Sequence, residues 1–539
     1  MRTVIGILVV LALPSTAAAQ VFLWSNLPII EIEVSGDIPD EPKVPGRIRI
    51  VDGGAGAENR RTDPAAYDGP MAIELRGSSS RVLFPKKSFA IELKDENGSD
   101  TDASLLGLPP EEDWVLHGPY SDRTYMRNVL AMELSRAMGQ YASRTRFVEV
   151  FLNNAYHGLY VLMERIKRDS ARVDVSRLRP EEVLEPEVSG GYIIKVDKLD
   201  GAGNDGWTSA VPPRIGSADR VVFQYHYPKG ADLVDVQKAW IQQWMTRFEE
   251  EMASRPERWQ EYLEPSAAVD YLLLNELTHN VDSYRLSTFM HKDRDDDDEP
   301  RLRLGPVWDF NLAFGNADYY DGRITRDWRV QYRLPDGDFQ PPAFFRRVFR
   351  QDSFQDLART RWAELRNSFL HTDSLLARID GHAETIRAAY ERDRLRWGQF
   401  GRYIWPNVFV GQDLDDEVAY LKSWLLARLA WMDDALDPGS GVPDGAPQLV
   451  AGQITVTGPY PNPVSGTARL VVGLSPSGWM VVTLHDVLGR EVRQVFRGFP
   501  ESDAFQELIL DTTGLPNGLH FLRIRSTGRL ITHALHIVR

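Results

Sequence analysis

Apolar and polar residues alternate with a period of two in the first part of the chain, in IIEIEV (residues 29–34), RIRIV (47–51), MAIEL (71–75) and KSFAIEL (87–93). Successive strand residues point to opposite faces, so the pattern predicts strands with one buried side. From residue 266 to 436 the spacing changes to three and four. DYLLLNELTH (270–279), SLLARIDGHAETIRAAYERDRLRW (374–397) and DDEVAYLKSWLLARLAWMDDAL (415–436) predict amphipathic helices. Strands followed by helices predict an α+β fold with two lobes and a cleft between them. Residues 437–452 are rich in Pro and Gly, lack aromatics, and read as a linker. After it come short apolar runs with turn signals, ITVTG, ARLVVGL, MVVTLHDVLG, FQELILD, HFLRIRS and THALHIV. These predict a small all-β sandwich.

The N-terminus carries a different signal. Arg2 precedes an apolar run over residues 4–13 and a small-residue stretch over 15–19, with Ala17 and Ala19 in A-x-A positions. This reads as a secretory signal peptide ending at Ala19. It is too short for a membrane span, which takes about 20 apolar residues, and no later segment of the mature chain qualifies as a transmembrane segment. The expected organisation is a signal peptide over 1–19, a large domain over 20–436, a linker over 437–452 and a β-sandwich over 453–539.

Composition removes several classes of function. The chain has 539 residues and no cysteine. Disulfides, cysteine-ligated zinc and a thiol nucleophile are therefore excluded, and an exported protein of this kind is held together by its core. The formal charge of −15 disfavours nucleic acid or anionic lipid as a partner. P-loop, H-E-x-x-H and G-x-S-x-G motifs do not occur.

Candidate chemistry lies in two acidic segments. In NELTHNVDSYRLSTFMHKD (275–293), Asp282 follows a helix and precedes a strand; in GPVWDFNLAFGNADYY (305–320), Asp309 stands in a turn bounded by glycines. Such a pair can bind a divalent cation, act as acid and base, or simply cap local structure. Kinase chemistry needs one carboxylate to orient the attacking hydroxyl and another to hold the metal, with an Asn ligand five residues after the first. The order fits, although Ser287 stands at the Asn position and Asn311 replaces the Gly of D-F-G. His279 precedes Asp282 by three residues and reads as scaffold. The acidic run 293–299 reads as a solvated loop.

PKKSF supplies Lys86 and Lys87 at a strand start. Alternation places Lys87 with Phe89, Ile91 and Leu93, favouring it over Lys86 as a phosphate lysine. Its acidic partner is Glu133, on a predicted helix, or Glu164, after a predicted hairpin with its turn at 153–158. Arg127 is open to two readings, a phosphate contact or a structural ion pair, with Ser121 or Asp122 capping its helix.

The large domain resembles the spore-coat protein H (CotH) family of atypical kinases. The resemblance runs in register from about residue 28 to 434 through RGSSSRVLFPKKSFAIEL (76–93), DWVLHGPYSDRTYMRNVLAMEL (113–134), FVEVFLNNAYHGLYVLMERIKRD (147–169), GGYIIKVDK (190–198) and the two acidic segments. It implies a distant protein-kinase-like fold, with ATP and Mg²⁺ or Mn²⁺ used to phosphorylate Ser or Thr of protein substrates. Asp282 would then be catalytic, and Asp309 would be the metal ligand, with Ser287 a weaker one. Residues 460–539 resemble the type A sorting domain of the type IX secretion system, through YPNP (460–463), DVLGREV (486–492) and LPNGLHFLRI (515–524). That resemblance implies export through the periplasm to the cell surface or beyond. The partners would be the secretion machinery and a secreted or surface protein substrate. A non-catalytic adhesion or matrix-assembly protein with the same fold is the alternative, and a glycan hydrolase with paired carboxylates is a third.

Overall fold

The structure, a computed structural model, describes residues 22–199, 205–214, 216–295 and 301–436, together with 453–460, 462–475, 480–487, 489–498, 506–526 and 529–538. The expected signal peptide and linker lie outside the described residues. The chain divides into two compact units, residues 1–432 and 433–539.

The alternating segments become β1 (Ile29–Val34), β2 (Val44–Val51), β3 (Tyr67–Arg76) and β4 (Ser88–Leu93), with a short helix α1 (Ser79–Leu83) before β4. β5 (Asp113–His117), helix α2 (Arg127–Ala137), β6 (Thr145–Leu152) and β7 (Ala155–Glu164) follow. The seven strands close a barrel in the order β1-β2-β3-β4-β5-β7-β6, sealed by parallel pairing of β1 with β6. Alternate residues fill it: Ile30 and Ile32, Ile48 and Ile50, Met71 and Ile73, Phe89 and Ile91, Trp114 and Leu116, Tyr160 and Leu162. Each such aliphatic or Phe side chain contributes about 1.5–3 kcal/mol of burial, and closure leaves no barrel edge unpaired. The β6–β7 turn is tighter than the six residues expected. Asn153 and Asn154 alone make it, at φ 47° and 65°, the left-handed conformation that a two-residue hairpin loop demands.

A second, antiparallel sheet has the order β12-β11-β8-β10-β9, built from β8 (Tyr192–Val196), β9 (Gly206–Thr208), β10 (Val222–Tyr227), β11 (Thr288–Lys292) and β12 (Arg303–Leu304). Further helices are α3 (Asp235–Ser254), α4 (Pro265–Thr278), which packs on β12, α5 (Ala343–Phe349), α6 (Asp352–Arg366), α7 (Thr372–Trp397) and α8 (Leu414–Leu436). The fold is therefore mixed α+β. Helix α4 starts on Pro265, capped by the Glu264 carboxylate that accepts from Ser266 N and Ala267 N, and it ends at His279 in the left-handed conformation (φ 46°). Nearly all its residues are buried, so its ends are fixed points for the loops that follow.

Helix α7 packs on β7. Gly158, at φ 127°, allows the approach: a Cβ there would sit 2.3 Å from Asp393 Oδ1. Among the described residues, no helix is long and apolar enough to cross a membrane.

In the C-terminal unit, β13 (Gln453–Tyr460), β14 (Thr467–Ser475) and β17 (Gln506–Asp511) form one sheet. β15 (Met480–His485), β16 (Glu491–Gly498), β18 (Gly518–Ser526) and β19 (Arg529–Ile537) form another. Leu470, Val472, Leu484, Leu522, Ile524 and Leu535 share one core.

Candidate functional site

A cleft of about 860 Å³ opens where the end of β3, the α1 segment, the end of β5 and the loops around β8, β11 and β12 converge. Asp197, Asp282, Ser287 and Asp309 line it, opposite Arg76, Lys198 and Arg285.

The loop bearing Asp282 is held by its own backbone. Asn280 Oδ1 accepts from Asp282 N (3.2 Å), and the Asp282 carbonyl accepts from Leu286 N (3.1 Å). Tyr284 and Ser287 both take positive φ, 69° and 48°. Such residues cost of order 1–3 kcal/mol each and persist only where the surroundings over-determine them. Here the support comes from buried Glu276, which accepts from Tyr284 Oη and Val330 N, both at 2.8 Å, and lies beside the buried Arg428 guanidinium. Arg285 Nη2 donates to Asp282 Oδ1.

Asp309 also has positive φ, 63°. The turn around it is tied to α2, because Asn128 Oδ1 accepts from Phe310 N, while Asn128 Nδ2 lies 3.3 Å from His117 Nε2. Asp309 is exposed to solvent within the cleft, although the cleft walls crowd it. Desolvation first, then repulsion from Asp282 and Asp197, pushes it up to about 6. Arg76 lies with its guanidinium 4.9 Å from the Trp308 ring centroid. Burial and Arg165 lower it to about 10 against the pull of Asp309, Asp113 and Asp197, so it stays charged. Lys198 Nζ donates to Ser79 Oγ (2.7 Å), which bridges the β8 loop to α1.

The cleft thus brings together Asp282, Ser287 and Asp309, and it leaves the other candidates elsewhere. Lys87 was expected on the buried face of β4. The strand begins at Ser88 instead, and Lys87 Nζ turns back to donate to the carbonyls of Arg81 and Phe84, tying the α1 turn to β4. Lys86 is fully buried, donating to Asp393 Oδ1 and to the Leu159 carbonyl, both at 2.6 Å. Neither lysine lines the cleft. Glu133 and Glu164 hold neither of them. Glu133 lies 2.9 Å from His382 Nε2 and accepts from Arg378, joining α2 to α7. Glu164 accepts from Arg144 Nη1 (2.7 Å) and Arg144 N (2.9 Å), with Arg172 at 3.5 Å. Arg127 takes the ion-pair arrangement. Its Nη1 donates to Asp122 Oδ1 (2.6 Å), and its own N–H is capped by Asp122 Oδ2 (2.8 Å).

Residues 296–299 of the acidic run lie outside the described residues; Asp293 accepts from Ser176 N and Asp295 pairs with Lys292. Among the described residues, the three-carboxylate group that comes within 4.8 Å is Asp102, Glu111 and Glu112. Lys167 already pairs with Glu111 and Glu112 there.

Arg76, Asp197 and Lys198 are cleft residues that sequence reasoning passed over, as are Asn128 and Arg285. Arg76 opens the RGSSSR run and Asp197-Lys198 closes GGYIIKVDK, so charged residues immediately after a strand were the available signal.

The donor set suits a hard divalent cation, since carboxylate and hydroxyl oxygens are its preferred ligands. Asp197, Asp282 and Asp309 do not come within 4.8 Å of one another as a group, so they do not form a closed cage. The raised Asp309 carboxyl is a group whose ionisation a nearby cation would favour. A family model described as CotH kinase protein matches residues 73–432. No curated protein matches the chain.

Proposed function

Since the chain belongs to the CotH kinase protein family, we propose that its cleft transfers the γ-phosphate of ATP to Ser or Thr hydroxyls of secreted or surface proteins. The observation that carries this reading is the meeting of Asp282, Asp309 and Asp197 with Arg76 and Lys198 in one cavity. Its volume, about 860 Å³, lies in the range of small-molecule sites.

In this reading Asp282 orients the acceptor. Arg285 occupies Oδ1, so Oδ2 is the oxygen left to accept from a substrate hydroxyl and take its proton. Asp309 holds Mg²⁺ or Mn²⁺, with Ser287 and Asp197 as further oxygen donors. When bound, the cation neutralises charge on the β- and γ-phosphates. Arg76 and Lys198 take the phosphate-neutralising role first expected of Lys87 and Lys86. Asn128 fixes the Asp309 turn through the Phe310 N–H.

The N-terminal apolar run and the C-terminal motifs support export, with residues 453–539 serving the type IX secretion machinery as an address. The test is transfer from γ-labelled ATP to a generic acceptor with Mn²⁺ or Mg²⁺, comparing the parent with Asp282→Asn and Asp309→Asn. Label lost in both variants is the expected result. Absence of both label and nucleotide binding in the parent would sink the kinase reading, leaving a non-catalytic surface protein for adhesion or matrix assembly.

A further inference from the structure

Away from the cleft, the acidic chain gathers positive charge around a second depression. A cavity of about 420 Å³ is lined by Arg214, Arg333, Arg346 and Arg350, with Gln331 and Ser217 between them. Asp336, the one carboxylate among its lining residues, is 79 % exposed and pairs with Arg214, which also has Asp219 at 3.6 Å. Arg333, Arg346 and Arg350 have no carboxylate within ion-pair distance among the described residues.

Two of the four guanidiniums are positioned in advance. Arg346 donates from Nε to the Val330 carbonyl (3.3 Å) and from Nη2 to the Tyr332 carbonyl (3.0 Å); Arg214 Nη1 donates to the Leu334 carbonyl (3.2 Å). Like charges held at one cavity repel, and Arg346 registers it, lowered by burial first and then by Arg350, Arg214 and Arg333. An oxyanion removes that repulsion, and a guanidinium fork matches it with paired N–H donors.

A second cavity of about 230 Å³ shares Arg214, Arg346 and Arg350 and continues over Val330, Pro341, Pro342 and Phe345. A free inorganic anion would leave this apolar extension unfilled. A phosphorylated side chain with an apolar neighbour would occupy both. We propose that Arg214, Arg333, Arg346 and Arg350 form a docking site for a phosphoserine- or phosphothreonine-bearing protein segment, whose adjacent apolar residue enters the Pro341–Phe345 extension.

The site borders the candidate catalytic loop, for Tyr284 lines the extension. The inference concerns binding and does not rest on phosphoryl transfer in the cleft.

The test is fluorescence anisotropy on the full chain, without nucleotide or metal, using a labelled peptide with phosphothreonine next to Phe. The unphosphorylated peptide is expected to bind at least about tenfold more weakly, the scale of one or two charge-assisted hydrogen bonds. The exposed pair Arg333→Ala/Arg350→Ala should erase that preference while the melting temperature stays put. An Arg255→Ala/Arg258→Ala control, with the same change in net charge, should keep it. Equal binding of both peptides, or a preference unchanged in Arg333→Ala/Arg350→Ala, overturns the proposal. Inorganic pyrophosphate binding as tightly as the phosphopeptide, with no effect of replacing its Phe by Ser, also overturns it and leaves a site for free anions.

Discussion

The Lys86 ammonium and the Asp393 carboxylate meet at 2.6 Å with neither side chain exposed, although 307 positions separate them in the chain. Asp393 also accepts from Leu159 N (2.8 Å) and Tyr125 Oη (2.9 Å), so one carboxylate joins α7, β7 and the segment before α2. Burial lowers Lys86, while Asp393 opposes that shift.

Removing one partner should therefore strand a buried charge. Asp393→Asn is expected to cost about 3–5 kcal/mol, the usual penalty for breaking a buried pair, and Lys86→Met/Asp393→Asn should recover part of it, because the Asn amide oxygen still accepts from Leu159 N. Chemical denaturation measures both. If Lys86 is structural, the double variant keeps the parent's affinity for ATP; a loss of nucleotide binding in a folded double variant would return Lys86 to the phosphate role.

Among the described residues, Arg76 and Lys198 are the cleft cations without a carboxylate in ion-pair distance, since Arg81 pairs with Asp40 and Arg285 with Asp282. Arg76→Ala should weaken ATP binding by roughly tenfold or more, as expected for a charge-assisted phosphate contact. Lys87→Ala should act less, through the α1 turn that its ammonium ties down. Isothermal titration with a non-hydrolysable ATP analogue ranks the two, and a larger effect at Lys87 contradicts the assignment.

Strands β1 to β4 were legible because each has one buried face, so Ile30/Ile32, Ile48/Ile50 and Phe89/Ile91 print a period of two on the sequence, whereas β5 to β7 are buried on both faces and print none. The second sheet was not, since β9 and β12 span three and two residues and too short a run shows no period. Asp282, Ser287 and Asp309 were legible because a local order of motifs carries them. Alternation was extended through Lys87, one position before the strand starts, and its ammonium lies on the α1 turn, outside the cleft lining. No local pattern could reveal that Lys86 is matched by Asp393 on α7. Asp197 was hidden for a related reason: a charge after a strand reads as a solvated end until the fold turns it into a cleft.

Asp309 gives a pH signature. Its carboxyl is raised to about 6 by burial and by Asp282 and Asp197, so the metal-free protein bears an unfavourable charge once pH rises through that value. Stability from this group is present at low pH and lost upward, the reverse of a salt-bridged carboxylate. Without cation, Asp309→Asn should melt above the parent at about pH 7.5, and the two should converge only as pH falls below 3.8, the carboxyl's ordinary value. Mn²⁺ should reverse the order, with affinity at least about tenfold lower in the variant, and parental Mn²⁺ affinity should fall below pH 6. Melting curves that keep their order with and without Mn²⁺ exclude Asp309 as a metal ligand.

Glu276 and Arg428 hold the Asp282 loop from beneath. Glu276 accepts from Tyr284 Oη and from two backbone N–H groups, those of Arg329 and Val330, while Arg428 Nε donates to the Glu276 carbonyl (2.8 Å). Both side chains are almost wholly buried, so Arg428→Met leaves the Glu276 charge without its cation at an expected cost of about 3–5 kcal/mol. The strained backbone at Tyr284 and Ser287 depends on this support, and Asp282 lies between α4 and that backbone. In a variant still folded at low temperature, kcat should fall by more than KM rises, because the acceptor carboxylate loses its fixed position while the phosphate cations stay in place. A variant that loses stability but keeps the parent's kcat would show that Asp282 is positioned by Asn280 and Arg285 alone.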